Sequence, residues 1–153
     1  MTKVLFICHG NICRSTMAEF VFRDMVDRAG LGGQISCASA ATSREEIGNG
    51  VHRGTARVLS ELGISGYHHK RAVQMTAADG KSYDYLVCMD QNNIKNAKRI
   101  LKAEDHAKLS LLMSFAGSDK EVADPWYTGN FDATKQDVLA GCEALLEHIV
   151  KKQ

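Results

Sequence analysis

The stretch from Val4 to Ser15 constrains the fold of this chain more than any other part of the sequence. Its first residues, Val4 to Ile7, are all apolar, which predicts a buried strand. Gly10 and Asn11 follow, and these residue types tolerate the left-handed backbone conformations of a sharp turn. From Ser15 onward the apolar residues recur at helical spacing. The chain therefore begins with a strand, a tight loop and a helix.

A loop of this kind is suited to binding an oxyanion, because its backbone N–H groups converge at the head of a helix. Cys8 stands at the entrance of the loop, near those N–H groups and near Arg14. Both the N–H groups and the guanidinium favour the thiolate form of a cysteine. Arg14 also offers a planar fork that can bind two phosphoryl oxygens at once. The sequence thus predicts a nucleophilic Cys8 beside a bound phosphate.

The string Cys8-His9-Gly10-Asn11-Ile12-Cys13-Arg14-Ser15 resembles the C-x5-R-S phosphate loop of the low-molecular-weight protein tyrosine phosphatases. The position of the loop near the N-terminus is also typical of that family. The resemblance implies a protein-tyrosine-phosphatase that hydrolyses phosphotyrosine and aryl phosphate monoesters through a phosphocysteine intermediate. It implies no metal and no cofactor, and inorganic phosphate would be both product and inhibitor. The substrate-binding residues would include His9, Gly10, Asn11, Ile12, Cys13 and Ser15.

A thiolate phosphatase also needs an acid that protonates the leaving aryl oxide. Asp124 is the candidate, since it precedes Pro125, the only proline of the chain, and proline stiffens the loop that presents it. The string Asp124-Pro125-Trp126-Tyr127 resembles the general-acid loop of the same family. The predicted catalytic residues are therefore Cys8, Arg14 and Asp124.

The resemblance also implies a group of residues that supports the phosphate loop. Asn11 would maintain the loop backbone, and Ser39 matches a serine that assists it in the family. A supporting histidine is expected near Gln74, and either His68 or His69 could fill that role. Ser15 is expected to donate a hydrogen bond to the Cys8 thiolate.

The pocket wall departs from the family pattern in two places. His9 replaces a residue that is usually apolar, and an aromatic residue expected near Glu45 is absent. One wall of the cleft is therefore expected to be polar or charged. Ile12, Trp126 and Tyr127 remain to enclose an aryl ring. We expect aryl phosphates to fit, with basic groups beside phosphotyrosine favoured by Glu45.

Strand and helix signals alternate along the rest of the chain, which predicts an α/β fold with a parallel sheet covered on both faces. The resemblance implies a three-layer, doubly wound sandwich with a four-stranded parallel sheet. Ligands bind beyond the carboxyl ends of the strands in such sheets, where Cys8 would lie. Strands are predicted at Val4–Ile7, 34–41, 83–89 and 109–112, and helices from Ser15 and at 51–62, 90–101 and 133–150, the last capped by Asp132.

Length and composition fit one globular domain over residues 1–153, with 44% hydrophobic and 24% charged residues. A net charge of +1 without a basic block argues against nucleic acid or a membrane surface as partner. We expect a cytoplasmic location, because no signal or membrane segment is evident. We also expect a monomer. The cysteine spacing gives no zinc pattern. Cys37, Cys88 and Cys142 lie in apolar segments and are expected to be buried.

Two other functions deserve comparison with the phosphatase. Related proteins on this scaffold reduce arsenate, but that chemistry needs a cysteine relay, and no second cysteine lies within about ten residues of Cys88. A phosphotyrosine-binding module without catalysis is the other alternative. Such a module would be expected to lose Cys8, Arg14 or Asp124, and all three are present.

Overall fold

The computed structural model describes residues 1–152 and has an α/β architecture. The strands are β1 (Thr2–Cys8), β2 (Ile35–Ala41), β3 (Tyr85–Cys88) and β4 (Leu109–Leu111). The α-helices are α1 (Arg14–Arg28), α2 (Arg53–Glu61), α3 (Ala77–Ser82), α4 (Gln91–Ile100), α5 (Pro125–Thr128) and α6 (Phe131–Lys152). Short 3-10 helices cover Tyr67–His69, Ala103–Lys108 and Leu112–Ala116.

The strands form a four-stranded, all-parallel sheet in the order β2-β1-β3-β4. The first strand of the chain lies inside the sheet, and its last residue, Cys8, pairs with Ala41 of β2. Ile7 pairs with Ala40 on one side and with Cys88 on the other. The predicted fold class and parallel sheet are confirmed, and Cys8 stands at the carboxyl edge where α/β proteins bind ligands.

The alternation of side chains along β1 divides the core between the two faces of the sheet. Val4 and Phe6 pack in one cluster with residues of α1, α2 and α6. Leu5 and Ile7 pack in a second cluster with residues of β3 and α4. Because both faces of β1 are buried from Val4 to Cys8, the strand is continuously apolar over those residues. This central strand fixes the position of the loop that follows it.

The last helix corrects one predicted boundary. Asp132 was expected to cap it, but α6 begins at Phe131, and the Oδ1 atom of Asn130 accepts a hydrogen bond from the Ala133 N–H at 3.0 Å. The earlier start has a packing cause. The ring of Phe131 stacks on His52 at 5.1 Å between centroids and lies against Gly54, where no side chain is in the way.

A short helix, α3, was not predicted, because it carries no apolar stripe long enough to show a period. The signal that could have found it is a capping box, in which Thr76 and Asp79 bond each other's backbone N–H groups. Two of the three cysteines expected in the core, Cys88 and Cys142, are fully buried. Cys37 is only half-buried, since β2 is an edge strand. Among residues 1–152, no helix is long and apolar enough to cross a membrane.

Candidate active site

The loop between β1 and α1 has the predicted sharp turn, and one residue carries it. Asn11 adopts a φ of 61°, and it is the only non-glycine residue with a positive φ in the described part of the chain. Gly10 was expected to adopt a left-handed conformation, but its φ is not positive and its role is to leave space for a neighbouring segment. A Cβ atom at Gly10 would lie 3.3 Å from Cγ of Glu46, so glycine there allows the neighbouring segment to approach closely.

Cys8 is buried beneath this loop, with 4% of its surface exposed, and its sulfur receives polar contacts from two sides. The Sγ atom lies 2.9 Å from Oγ of Ser15, in the first turn of α1, and 3.3 Å from the backbone N–H of Asn11. Hydrogen-bond donors aimed at a sulfur stabilise its ionised form. The surroundings of Cys8 therefore suit a nucleophilic thiolate.

The direction of the Ser15 hydrogen bond follows from a buried chain of side chains behind it. The Nδ2 group of Asn11 donates to Oγ of Ser15 and to Oγ of Ser39, each at 2.8 Å, while its Oδ1 accepts from the Val73 N–H at 3.2 Å. Ser39 donates its own proton to Oε1 of Glu19. Since Ser15 already accepts from Asn11, its hydroxyl proton is free to point at Cys8.

The supporting histidine was predicted wrongly. His68 and His69 are exposed in the short helix Tyr67–His69, and neither contacts Asn11 or Ser39. Lys70 occupies the supporting position instead. Its Nζ atom donates to the carbonyl of Ser39 at 2.9 Å and lies 3.8 Å from Oε1 of Glu19. A lysine therefore provides the support that was expected from an imidazole.

Arg14 is 4% exposed, and its guanidinium is held from three directions. It lies 2.9 Å from Oδ2 of Asp90, 3.2 Å from the carbonyl of Val122 and 3.4 Å from Oδ2 of Asp124. Burial alone would lower the pKa of Arg14, but the negative charges of Cys8, Asp124 and Asp90 raise it overall. The arginine is therefore a fixed positive charge beside Cys8.

Asp90 is a site residue that sequence reasoning recognised only as the start of a helix. It does cap α4, because Oδ1 accepts from the Asn93 N–H at 2.8 Å, but Oδ2 simultaneously binds Arg14. The signal that could have found this second role is its position two residues after the buried strand β3, at the same sheet edge as Cys8.

Asp124 caps the four-residue helix α5, and Pro125 is the first residue of that helix. Its Oδ1 accepts from the Trp126 N–H at 3.1 Å, which leaves Oδ2 directed to Arg14. Trp126 and Tyr127 follow on the same helix and are 63% and 86% exposed. The structure therefore brings Asp124 to the Cys8 loop and leaves two aromatic side chains at the mouth of the pocket.

The pocket between these groups has a volume of about 390 Å³, which is within the range of small-ligand sites. All predicted substrate-binding residues except Ser15 line it, and Ser15 lies below the loop in contact with Cys8. Glu45 does face the cleft, and its Oε2 lies 2.9 Å from Nε2 of His9. His9 and Glu45, the two positions at which the pocket departs from the family pattern, thus contact each other at the pocket rim.

Cys13 is buried in the same loop, packed with Ile12 and Ala72. Burial, followed by the negative charges of Cys8 and Asp124, raises the pKa of its thiol from 9.0 to about 12. Cys13 is therefore a neutral thiol at physiological pH. In the described residues 1–152, no group of three or more His, Cys, Asp or Glu side chains could hold a metal ion.

Comparison with known proteins agrees with this geometry. The family model for low molecular weight phosphotyrosine protein phosphatase matches residues 3–153. The low molecular weight protein-tyrosine-phosphatase YfkJ of Bacillus subtilis is 38% identical over 155 residues, covering 100% of this chain and 99% of the relative. A low molecular weight phosphotyrosine protein phosphatase of Schizosaccharomyces pombe is 40% identical over 136 residues, covering 85% of this chain and 86% of the relative.

Solved structures show the same similarity in three dimensions. The crystal structure of YfkJ superposes with a TM-score of 0.96 at 39% identity, covering 100% of this chain and 97% of that one. The low molecular weight protein tyrosine phosphatase SP-PTP from Streptococcus pyogenes gives 0.88 at 38% identity, with 97% and 93% covered. The chain belongs to the low molecular weight phosphotyrosine protein phosphatase family.

Proposed function

We propose that this protein-tyrosine-phosphatase uses Cys8 as nucleophile, Arg14 as the phosphoryl-binding cation and Asp124 as general acid and base. One observation carries the proposal. The Cys8 sulfur, the Arg14 guanidinium and the Asp124 carboxylate line a single pocket, and Arg14 directly contacts Asp124. The three groups would therefore act on one bound phosphate.

In the first step, the Cys8 thiolate attacks phosphorus in line with the leaving oxygen. The S–P bond forms while the P–O bond to the aryl group breaks. Protonated Asp124 transfers its proton to the leaving aryl oxygen, so the product is a neutral phenol. Arg14 and the loop N–H groups hold the equatorial oxygens, where charge is greatest in the transition state. A bound phosphate also offers Arg14 a competing anion, which releases Asp124 toward the leaving group.

In the second step, water attacks the phosphorus of phosphocysteine. Asp124, now a carboxylate, accepts a proton from that water, and the S–P bond breaks to return the Cys8 thiolate and inorganic phosphate. The Ser15 hydroxyl, which contacts Sγ at 2.9 Å, stabilises the thiolate as it leaves. Because the loop that binds substrate also fits free phosphate, we expect phosphate to inhibit competitively.

The remaining pocket residues would bind the aromatic part of the substrate. Ile12 lines the pocket from within the Cys8 loop, and Trp126 and Tyr127 stand at the pocket mouth. An aryl ring that enters between them would bury apolar surface on two sides. His9 and Glu45 also line the pocket and would meet groups that flank the phosphorylated tyrosine. The expected monomeric state and cytoplasmic location stay predictions from sequence.

The structure offers no support for the arsenate reductase alternative. Cys88 is fully buried, and burial raises the pKa of its thiol above the ordinary value. Its thiol therefore stays protonated and has no access to a solvent-borne partner. A binding module without catalysis would be expected to lack at least one of the three catalytic residues. Here the side chains of Cys8, Arg14 and Asp124 are all present and line one pocket.

The role of Asp124 can be tested through its dependence on the leaving group. We expect Asp124→Asn to lower kcat/KM by about 10²–10⁴-fold for phenyl phosphates with poor leaving groups, because the proton donor is lost. Para-nitrophenyl phosphate should suffer far less, since its leaving oxide needs little protonation. Steady-state kinetics over a series of substituted phenyl phosphates measures this. An equal loss across the series would exclude Asp124 as the acid.

A further inference from the structure

A wall of the pocket that the proposed mechanism does not use is formed by asparagines of α4. Asn92, Asn93 and Asn96 all line the pocket. They follow β3 and Glu45 and Glu46 follow β2, and these two strands flank β1 on opposite sides. Residues four apart on a helix share a face, so Asn92 and Asn96 present their amides side by side. Asp90 caps the same helix and contacts Arg14, which places the start of this wall beside the phosphate site.

The bonding of Asn93 leaves its amide donor without an acceptor in the described part of the chain. Only 2% of this residue is exposed, and its Oδ1 accepts the N–H groups of Met89 at 3.0 Å and Asp90 at 3.1 Å. Those two bonds fix the orientation of the amide. Its Nδ2 group donates to no atom of residues 1–152. A fixed amide donor that lines the pocket is therefore available to an acceptor from outside the chain.

The side-chain amides of Asn92 and Asn96 also have no partner within the described residues, and helix propensity does not explain why asparagines occupy these two positions. Within residues 1–152 their side chains make no hydrogen bond. Asparagine is among the poorer helix formers, because its amide competes with the helical backbone. Asn93 has a reason to be in the first turn, since it completes the capping box with Asp90. Asn96 lies in the middle of α4, where no such reason exists.

We propose that the asparagine wall, Asn92, Asn93 and Asn96, binds the polypeptide main chain that flanks the phosphotyrosine of a protein substrate. A side-chain amide and a peptide group each carry one acceptor oxygen and an N–H donor, so the two match without any net charge. The spacing agrees. Four residues of helix rise about 6 Å, and two residues of an extended chain span about 6.6 Å. Asn92 and Asn96 can therefore meet successive peptide groups on one side of an extended substrate.

The proposal rests on the phosphatase activity and makes a separate prediction about substrates. The double variant Asn92→Ala/Asn96→Ala should lower kcat/KM about 10-fold for a phosphotyrosyl peptide, mainly through KM, because two solvent-competing hydrogen bonds are lost. Turnover of para-nitrophenyl phosphate, which has no peptide groups, should change less than 2-fold. Lys95→Ala, on the exposed face of the same helix, is the matched control and should leave both substrates unaffected.

A modified substrate identifies the group that the asparagines contact. Peptides N-methylated at the amides beside phosphotyrosine lack the N–H donors. The parent enzyme should therefore bind them more weakly than the unmodified peptide, whereas the double variant should bind both peptides equally. Loss by the parent alone would support main-chain recognition. An equal loss by both proteins would overturn it, and so would an unchanged kcat/KM of the double variant on the unmodified peptide. A matching loss on para-nitrophenyl phosphate would also overturn it, because the asparagines would then act on the phosphoryl group.

Discussion

At the scale of single residues, Asn11 determines how the Cys8 loop presents its donors. Its left-handed φ of 61° turns its own N–H toward the Cys8 sulfur, and its side chain ties the loop to Ser15 and Ser39. The sequence could predict that an asparagine tolerates this conformation, because the residue type carries that property. It could not predict Lys70 as the outer support, since that role depends on where a distant segment packs.

The presence of two cysteines, Cys8 and Cys13, in one tight loop gives a prediction at this scale. Peroxide should oxidise the Cys8 thiolate to sulfenic acid, and Cys13 should trap it as a disulfide that thiol reductant reverses. Burial and, after it, the negative charge of Cys8 raise the pKa of Cys13 to about 12, so its thiolate fraction grows with pH and trapping should accelerate as pH rises from 7 to 9. Activity recovered after peroxide and reductant measures this.

Cys13→Ser is the variant that decides whether this disulfide protects the enzyme. It should retain turnover of para-nitrophenyl phosphate but fail to recover from peroxide, because further peroxide oxidises the untrapped sulfenic acid to sulfinic acid, which thiol reductant does not reverse. Phosphate added beforehand should protect both proteins by occupying the loop. Full recovery of activity by the variant would show that Cys13 only packs beneath the loop and does not protect Cys8.

At the scale of elements, the site is assembled from segments that meet at one edge of the sheet. The loop after β1, the segment after β2, the start of α4 and helix α5 each supply one wall. Strand and helix positions followed from hydrophobic periods, so most of these elements were predictable. The start of α6 was not, because it depends on the packing of Phe131 against Gly54 and His52.

The segment after β2 gives a prediction about substrate charge. Glu45 should favour peptides with Lys or Arg beside phosphotyrosine by about 2- to 5-fold, the range of an exposed ion pair, and added salt should weaken the preference. Glu45→Trp should lose that preference and bind plain aryl phosphates more tightly. Glu147→Gln, on the exposed face of α6, is the control. Identical peptide selectivity in parent and Glu45→Trp would show that Glu45 does not meet the substrate.

At the scale of the whole molecule, the sheet buries thiols that have no part in the chemistry. Cys88 lies in β3 and Cys142 in α6, and both are inaccessible to solvent. Burial raises the pKa of the Cys142 thiol well above its usual value of 9.0. The folded protein therefore keeps a proton that the unfolded chain releases above pH 9. The contribution of the protonated Cys142 thiol to the free energy of unfolding is therefore fully present below pH 9 and is lost as pH rises above it.

The pH dependence of unfolding tests this linkage. Above pH 9, Cys142 should lower the free energy of unfolding by about 1.4 kcal/mol for each pH unit. Cys142→Ala should be less stable at neutral pH, because a cavity forms, but its stability should fall less steeply between pH 9 and 10.5. Urea unfolding of both proteins across this range gives the two slopes. Parallel slopes would mean that the buried thiol does not retain its proton.

The most direct test of the mechanism is to find the phosphoryl group on the enzyme. Asp124→Asn should form phosphocysteine readily from para-nitrophenyl phosphate and hydrolyse it slowly, because the base for water is missing. Acid quenching followed by mass spectrometry should locate the phosphoryl group on the peptide that contains Cys8. Cys8→Ser should show no labelled peptide and no turnover, yet still bind phosphate. Turnover by Cys8→Ser, or a phosphoryl group on any residue other than Cys8, would contradict the mechanism.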